Sequence, residues 1–442
     1  MDTAVARSTH NPIMDLPEVG ITPLKDLDAT VTVVGSKSYT NRFLAIAGLA
    51  SEPTILRHAL HSQDTLLLAE ALRAFGHVDV EADADNETFF VVPNGRPMRA
   101  PDTAIDMGNA GTPIRFLITM AALAEGRTVL TGNKRMCERP MGHLLEALDK
   151  LGVEAQSTAG NGSPPIEVSG GTLRGGSTRV DGTVSSQFTS SLLIGSVGTE
   201  LGLELAVDGD PVSKPYVDMT IAAMATAGVP LWRSGYERYA VPGAARYRGG
   251  DITVESDASG MSYFLAAAAI TGGRVTIPGI SLDSAQGDVG LVTAFADMGC
   301  ADLSDTTGIT LTGGPLTGID IDMSNMPDVA PTLAVVAAYA RGTTHITGIG
   351  NLRVKECDRI DAVSTELRKM GVSVDTTEDT MTIHGGKEPQ GAVIDTYDDH
   401  RIAMAFAIAG LRTPGVVIRD PACVTKSFPD FWDRFEALRG DR

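Results

Sequence analysis

Basic side chains recur where apolar segments of this sequence begin. Lys37, Ser38 and Arg42 open the segment GSKSYTNRFLAIAGLA, and positions 38 and 42 would share one face of a helix. A serine cap with two basic side chains reaching for solvent is the simpler explanation for this cluster taken alone. Further basic residues nevertheless follow at comparable places along the chain, namely Arg115, Arg139, Lys355, Arg359, Arg401 and Lys426.

Neutral hydrogen-bonding groups occur at the same kind of place. Residues 108–112 (GNAGT) predict a glycine-rich turn before a helix, where a ligand can approach the backbone and the N–H groups can hold a charged oxygen. Ser185, Ser186 and Gln187 head another apolar segment, and Ser213 and Tyr216 follow in a proline-containing turn. Ordinary turns and helix caps are the alternative explanation at each of these places.

Acidic groups and one histidine lie among the basic residues. Asp328 begins an apolar segment, where an acid ordinarily only complements the helix dipole. Glu356 lies between Lys355 and Arg359, which we expect on one helix face, where two like charges are unfavourable unless an anion binds them. His400 could be a general acid or base, or a structural histidine held by hydrogen bonds.

A repeated pattern accounts for the positions of these residues. Most apolar, alanine-rich segments are followed by an amphipathic helix, a glycine and a run typical of a β-strand. The pattern predicts an α/β protein of six units, three per domain. A solenoid is the alternative, but these units are longer than usual solenoid repeats and lack a short consensus. The apolar segments span residues 35–50, 108–126, 182–198, 257–273, 322–342 and 396–411.

Buried helices would bring the basic residues together if they all pointed into one cleft between two domains. Two unit charges about 4 Å apart repel by roughly 4 kcal/mol at an effective dielectric constant near 20, so such a cluster needs an anion. A charge-assisted hydrogen bond to phosphate or carboxylate returns about 1.5–3 kcal/mol. We therefore expect a pair of small, multiply charged anions to bind there, with Lys37, Arg139, Lys355 and Arg401 close together.

Composition narrows the possible partners. The chain has 442 residues, 43% of them hydrophobic, which suffices for two domains, and its net charge of −19 argues against nucleic acid or an anionic membrane. Residues 1–20 carry acids and lack an apolar core, so we expect neither a signal peptide nor a transit peptide. The absence of CxxC spacing favours the reducing cytoplasm over a disulfide framework or a zinc site; the cysteines are Cys137, Cys300, Cys357 and Cys423.

The ordered motifs of this chain resemble those of the 5-enolpyruvylshikimate-3-phosphate synthase family. The segments GSKSYTNR, GNAGT with Arg115, ERP, SSQF, SKPY, MPD, NLRVKECDR, DDHR and KSFPD follow in order from about residue 35 to 432. The resemblance implies two similar inverse α/β barrel domains, each of three repeated units, with the substrates between them. Residues 1–35 and 255–442 would form a discontinuous C-terminal domain binding mainly phosphoenolpyruvate, and residues 36–254 an N-terminal domain binding mainly shikimate 3-phosphate.

The same resemblance implies an activity and a set of site residues. The enolpyruvyl group of phosphoenolpyruvate would pass to the 5-hydroxyl of shikimate 3-phosphate, with loss of phosphate and without a metal or organic cofactor. Asp328 would take the hydroxyl proton, and Glu356, with Lys37, would move the proton at the methylene carbon. The residues implied to bind shikimate 3-phosphate are Lys37, Ser38, Arg42, Ser185, Ser186, Gln187, Ser213, Tyr216, Asp328, Asn351 and Lys355. Those implied to bind phosphoenolpyruvate are Lys37, Asn109, Gly111, Arg139, Gln187, Arg359, His400, Arg401 and Lys426.

Two other interpretations stay open. The UDP-N-acetylglucosamine enolpyruvyl transferases share the fold and the chemistry but have Lys-Asn at the first helix start and a reactive loop cysteine. This chain has Lys37 and Ser38 there, although Cys137 precedes Arg139 in the corresponding loop. A non-catalytic anion-binding protein that has kept the repeat is the second alternative. We further expect a monomer, and inhibition by glyphosate at a phosphoenolpyruvate site whose shape Pro113 would change.

Overall fold

Helices of two kinds alternate along the chain. The computed structural model describes residues 11–440, so the first ten and last two residues of the predicted segments 1–35 and 255–442 lie outside it. None of the helices between residues 11 and 440 combines the length and apolarity that a membrane span needs. The α-helices are α1 (Lys37–Gly48), α2 (Gln63–Ala74), α3 (Gly111–Ala121), α4 (Gly142–Lys150), α5 (Ser186–Gly195), α6 (Lys214–Thr226), α7 (Ala258–Thr271), α8 (Gly290–Asp297), α9 (Ala330–Ala337), α10 (Arg359–Lys369), α11 (His400–Gly410) and α12 (Phe431–Ala437).

The odd-numbered helices are the apolar segments of the repeat, and nearly all of their residues are buried. All eight residues of α9 are buried, and α7 reads ASGMSYFLAAAAIT, which leaves little polar face. At the starts of four of these helices, a polar side chain accepts a hydrogen bond from a backbone N–H group. These capping residues are Ser36 on α1, Ser185 on α5, Asp257 on α7 and Asp399 on α11. The even-numbered helices bury only part of their residues and cover the outside.

Within residues 11–440, short β-strands separate the helices and form six sheets, five of four strands and one of three. The strands are β1 (Glu18–Gly20), β2 (Asp28–Thr30), β3 (Thr54–Arg57), β4 (Val78–Asp83), β5 (Thr88–Pro93), β6 (Ile105–Asp106), β7 (Gly126–Thr131), β8 (Ala155–Ser157), β9 (Ile166–Gly170), β10 (Gly176–Asp181), β11 (Leu203–Asp208), β12 (Trp232–Ser234), β13 (Arg238–Val241), β14 (Gly250–Thr253), β15 (Arg274–Pro278), β16 (Ala301–Asp302), β17 (Gly308–Thr312), β18 (Asp320–Asp322), β19 (Thr343–Thr347), β20 (Ser373–Thr376), β21 (Met381–His384), β22 (Val393–Ile394) and β23 (Val417–Arg419).

Every sheet follows one plan. Two neighbouring strands run parallel, and the other strands pair antiparallel. In four sheets a buried helix connects the two parallel strands, as in β6–α3–β7 and β18–α9–β19. This recurrence confirms the predicted α/β fold of six repeated units.

The other two sheets exchange one strand. β2 precedes α1 but pairs in parallel with β15, which follows α7, whereas β14 precedes α7 but pairs with β3, which follows α1. The chain therefore crosses twice between the two groups of sheets. The two crossings run side by side, because Ser36 N–H donates to Glu255 O at 2.7 Å and Asp257 N–H donates to Val34 O at 2.9 Å.

Buried apolar side chains form two separate clusters. The first core draws on residues 39–254, and the second core draws on residues 21–34, residue 60 and residues 258–438. Burial of apolar surface is the main contribution that stabilises each cluster. The crossings at residues 34–36 and 255–257 join the two cores, and the odd-numbered helices of both direct their first residues towards the space between them.

Candidate active site

The starts of five buried helices, with neighbouring loops, line one cleft between the two cores. Free N–H groups and the positive end of the helix dipole make such starts favourable for anions. The structure thus brings Lys37, Arg139, Lys355 and Arg401 together. The lining residues are Lys37, Ser38, Arg42, Asp64, Gly111, Thr112, Arg139, Val184, Ser185, Ser186, Gln187, Ser213, Tyr216, Asp328, Asn351, Lys355, Glu356, Arg359 and Arg401.

Three predicted site residues, Asn109, His400 and Lys426, are absent from this lining. Lys426 Nζ nevertheless donates to the Asn109 carbonyl oxygen at 2.6 Å and lies 3.5 Å from Glu356 Oε1. This contact joins the second core to the first immediately beside the lining. Lys426 and Asn109 therefore lie directly behind residues that line the cleft.

Asp328 is surrounded by cations from three segments. Its carboxylate oxygens lie 2.9 Å from Arg401 Nη2, 3.2 Å from Arg359 Nη1 and 3.5 Å from Lys355 Nζ. Burial by itself would raise the pKa of this carboxyl, but Arg401, Lys355 and Arg359 outweigh burial and hold the pKa well below its usual range. Asp328 is therefore ionised at neutral pH.

Glu356 has a comparable surrounding. Arg359 Nη2 donates to Oε2 at 2.8 Å, and Oε1 lies 3.5 Å from Lys426 Nζ and 3.9 Å from Arg139 Nη1. Burial opposes ionisation here too, but Arg359, Lys426 and Arg139 hold the pKa of Glu356 well below its usual range. Arg359 thus bridges Asp328 and Glu356, two of the carboxylates that line the cleft.

Asp399 fixes the orientation of Arg359, a role that the sequence did not indicate. Its fully buried carboxylate accepts from Arg359 Nε at 2.7 Å and from the backbone N–H of Arg401 at 2.9 Å. One side chain therefore caps α11 and holds a guanidinium from α10. The run DDHR contains Asp399, but an acid before a helix is such a common cap that this second role had no distinguishing signal.

Asp64 is a second acidic residue that sequence reasoning missed. It lies in the first turn of α2, is buried, and its carboxylate is 3.6 Å from Lys37 Nζ and 3.7 Å from Lys426 Nζ. The side chain thus pairs one lysine from each core. An acid in the first turn of an amphipathic helix ordinarily only complements the dipole, which hid this contact.

Arg42 lines the cleft, but most of its N–H groups donate hydrogen bonds to other residues of the protein. Its Nε donates to Thr220 Oγ1 at 2.7 Å, Nη1 to the Ser38 carbonyl oxygen at 2.9 Å and Nη2 to the Tyr216 carbonyl oxygen at 2.7 Å. Burial lowers the pKa of Arg42 to about 10, which leaves it charged at neutral pH. Arg42 therefore ties α1 to the start of α6 beside the cleft.

Neutral groups of the first core form a connected set. Gln187 Nε2 donates to Thr112 Oγ1 at 3.0 Å, and Arg115 Nη1 donates to Gln187 Oε1 at 2.5 Å. Asn351 Nδ2 reaches across from the second core to Ser213 Oγ at 3.3 Å. Hydroxyl and amide groups held in this way can bind sugar hydroxyls or a phosphate.

His400 does not behave as a hydrogen-bonded structural histidine. The ring is fully buried, and neither nitrogen has a hydrogen-bond partner among residues 11–440. Burial, together with the charges of Lys37 and Arg401, holds the pKa of this imidazole well below its usual range, so the ring is neutral. The interpretation as a hydrogen-bonded structural residue is therefore wrong for this conformation.

Two local predictions are also wrong. Lys355 and Arg359 do not share a helix face, because Asp358 caps α10 and the helix begins only at Arg359. Lys355 instead has extended backbone after a 3-10 turn, although both side chains still line the cleft. Ser213 and Tyr216 belong to the start of α6 rather than to a free turn.

The cleft combines two ionised carboxylates with many cations. An ionised carboxylate within reach of a bound hydroxyl can accept its proton, and lysine and arginine side chains can hold phosphate or carboxylate groups. In the part of the chain that the structure describes, no group of three or more His, Cys, Asp or Glu side chains is arranged to hold a metal ion.

The sequence is similar to known proteins over nearly its whole length. Residues 21–435 match the family model described as EPSP synthase (3-phosphoshikimate 1-carboxyvinyltransferase). A 3-phosphoshikimate 1-carboxyvinyltransferase of Aliivibrio fischeri (strain MJ11) is 42% identical over 419 residues, covering 94% of this chain and 98% of the relative. A protein of the same name from Methanosphaerula palustris is 44% identical over 414 residues, covering 93% and 97%.

Solved structures of similar fold include members of the same family. An EPSP synthase from Acinetobacter baumannii superposes with a TM-score of 0.77 at 28% identity, covering 95% of this chain and 97% of that one. The enolpyruvyl transferase NikO from Streptomyces tendae gives a TM-score of 0.76 at 20% identity, covering 96% and 98%. The likeness to NikO concerns the fold alone.

Proposed function

The chain belongs to the EPSP synthase (3-phosphoshikimate 1-carboxyvinyltransferase) family, and we propose how its cleft carries out that reaction. The enzyme transfers the enolpyruvyl group of phosphoenolpyruvate to the 5-hydroxyl of shikimate 3-phosphate and releases phosphate. The proposal rests above all on Asp328, which lies 2.9 Å from Arg401, 3.2 Å from Arg359 and 3.5 Å from Lys355. An ionised base thus stands among the cations that would hold both substrates.

The two substrates divide the cleft between them. The shikimate 3-phosphate site combines cations with neutral hydrogen-bonding groups, because this substrate carries both a phosphate and hydroxyls. Its residues are Lys37, Ser38, Arg42, Ser185, Ser186, Gln187, Ser213, Tyr216, Asp328, Asn351 and Lys355. Phosphoenolpyruvate carries a phosphate and a carboxylate, and its site is the region with the most cations. That site consists of Lys37, Asn109, Gly111, Arg139, Gln187, Arg359, His400, Arg401 and Lys426.

Addition is the first step. The oxygen of the 5-hydroxyl forms a bond to C2 of phosphoenolpyruvate, and its proton passes to the ionised Asp328. The methylene carbon C3 takes a proton from the ammonium group of Lys37 and becomes a methyl group. Glu356 cannot supply that proton itself, because the surrounding cations keep its carboxylate ionised.

Elimination is the second step. Glu356 removes a proton from the methyl group, the bond between C2 and the phosphate oxygen breaks, and the double bond of the enolpyruvyl ether forms. Arg139 and Lys426, 3.9 and 3.5 Å from Glu356, can stabilise the charge of the leaving phosphate. Lys37 then regains its proton from Glu356, and the proton on Asp328 leaves with the phosphate.

Acceptor choice tests the function directly. Phosphate release from phosphoenolpyruvate should require shikimate 3-phosphate and should not occur with UDP-N-acetylglucosamine. Phosphate release with UDP-N-acetylglucosamine but not with shikimate 3-phosphate would instead support the related transferase. If no phosphate were released with either acceptor, the non-catalytic alternative would be supported. The structure gives no support for Cys137 as the reactive loop cysteine of the related transferase. Its thiol lies 3.6 Å from the Gly132 carbonyl oxygen, and Cys137 is not among the residues that line the cleft.

Replacing Gly111 with alanine should weaken phosphoenolpyruvate binding and glyphosate inhibition together. A Cβ at this position would lie 2.3 Å from Arg139 Nη2 and 2.5 Å from its Cζ, so the guanidinium would have to move. We expect KM for phosphoenolpyruvate to rise about tenfold, equivalent to ~1.4 kcal/mol, in steady-state assays with and without glyphosate. Gly142→Ala is the matched control, because a Cβ there meets nothing within 4 Å. An unchanged KM and unchanged inhibition would contradict the proposed site.

Ligand-dependent closure is a further expectation. We propose that the two cores delimit two domains, residues 36–254 and the remainder, and that shikimate 3-phosphate draws them together because the basic residues that would hold it are split between the two cores. Shikimate 3-phosphate should then reduce the radius of gyration in small-angle scattering. Shikimate, which lacks the phosphate, is the control ligand and should have little effect. Equal compactness with and without shikimate 3-phosphate would contradict closure.

We also propose that the enzyme works as a monomer in the cytoplasm. The four cysteines are free thiols, which suits a reducing compartment.

A further inference from the structure

One arginine outside the cleft lining joins loops that belong to different cores. Arg135 donates from Nε to the Lys355 carbonyl oxygen and from Nη2 to the Arg353 carbonyl oxygen, both at 3.0 Å. Its third nitrogen, Nη1, donates to Glu138 on its own loop at 3.1 Å. Two of the three guanidinium nitrogens therefore reach across from the first core to the second.

Both loops are anchored immediately beside these hydrogen bonds. Met136, which follows Arg135, is buried in the first core, and Leu352, which precedes Arg353, is buried in the second core. Hydrogen bonds between anchored loops constrain the cores themselves, whereas hydrogen bonds between mobile loop tips would not. The contact of Arg135 thus reports the relative position of the two cores.

The segment between Val354 and Arg359 depends on such contacts because it has no regular structure. The 3-10 turn Gly350–Val354 precedes it, and α10 begins only at Arg359. Carbonyl groups at the end of a helical turn need donors from elsewhere. The Arg353 side chain holds the segment to the second core through the carbonyl oxygens of Thr377 and Glu378, and Arg135 supplies the donors from the first core.

We propose that Arg135 is a latch, a positioning residue that sets Lys355 and Glu356 when the two cores come together. Arg139 ends the same short loop, and its Nη1 lies 3.9 Å from Glu356 Oε1. When Arg135 engages, Arg139 therefore approaches Glu356 while the backbone that carries Lys355 becomes fixed. The inference rests on the proposed function for the roles of Lys355, Glu356 and Arg139.

Variants of the full-length chain test the latch. Arg135→Ala should lower kcat for phosphate release by about 10- to 100-fold, the effect expected when a charged donor loses its hydrogen bonds, with smaller changes in KM. Arg135→Lys, which keeps one donor group, should fall between this variant and the parent. Guanidinium ion at millimolar concentration should partly restore Arg135→Ala. Arg127→Ala is the matched control, because Arg127 pairs with Glu167 inside one sheet and should leave kcat unchanged.

Scattering with shikimate 3-phosphate provides the second measurement. The radius of gyration of the parent should fall when shikimate 3-phosphate binds, and that of Arg135→Ala should fall by less. The two proteins should have the same melting temperature. If Arg135→Ala matched the parent in both kcat and compaction, the latch would be overturned. The latch would also be overturned if both Arg135 variants lost kcat and both had a lower melting temperature, because the loss would then reflect stability. A parent that releases no phosphate would instead contradict the proposed function, which is a separate outcome.

Discussion

Asp328→Asn should lower kcat by about 10²- to 10⁴-fold, the usual contribution of a general base, while shikimate 3-phosphate still binds. The amide has the shape of the carboxylate but cannot accept the hydroxyl proton. Arg359, Arg401 and Lys355, which now contact Asp328, would remain to bind anions. Asp328→Ala should lose turnover in the same way.

Phosphate release measures turnover, and calorimetry measures binding of shikimate 3-phosphate. Asp208→Asn is the control, because Asp208 is exposed and forms an ion pair with Arg179 outside the cleft, at 3.4 Å. Unaltered turnover in Asp328→Asn would remove this residue as the base. Loss of binding in parallel with turnover would show that Asp328 orients the substrate rather than accepting its proton.

The pH dependence of the parent follows from the same surroundings. Because nearby cations hold the pKa of Asp328 well below its usual range, the base stays ionised as pH falls and is lost only when pH passes that lowered value. kcat/KM should therefore not decline through Asp328 between neutral and mildly acidic pH. A decline there that disappears in Asp328→Asn would contradict this assignment.

The repeat made much of the site predictable. Ser38, Gly111 and Ser186 lie at helix starts in the sequence pattern, and the structure puts all three on the cleft. Helix starts are predictable because local features, caps and the onset of an apolar run, determine them. Asp358 before Arg359 is also a normal cap, so the sequence itself marks the start of α10 at Arg359.

Long-range contacts were not predictable in the same way. Pairing of β2 with β15 joins residues such as Asp28 and Arg274, and no local pattern specifies that exchange of strands. The contacts of Asp64 with Lys37 and Lys426 likewise appear only once three segments meet. The residue types that line the cleft, Asp328 and Glu356 included, can therefore be deduced from the sequence, whereas the pairing of Asp64 and Asp399 with its cations cannot.

Glu356→Gln should stop the reaction after addition, whereas Asp328→Asn should stop it before. The ionised Glu356 is proposed to remove the methyl proton during elimination, and glutamine cannot accept that proton. We expect kcat to fall by about 10²- to 10⁴-fold. The tetrahedral adduct should accumulate on Glu356→Gln, because Lys37 can still protonate C3 during addition, and in deuterated water its methyl group should contain deuterium.

Rapid quenching followed by phosphorus NMR distinguishes the two blocks, since the adduct retains the phosphate that elimination would release. Glu146→Gln is the matched control, because Glu146 is exposed on α4 and its carboxylate lies 4.0 Å from His143 Nδ1 on the same helix, outside the cleft lining. If Glu356→Gln formed no adduct, Glu356 would be needed for the first proton transfer, and the division between Lys37 and Glu356 would be wrong. An adduct on Asp328→Asn would equally exclude Asp328 as the base of addition. Asp328 and Glu356 both contact Arg359, so their position alone does not separate their roles. The two variants together assign one carboxylate to each step.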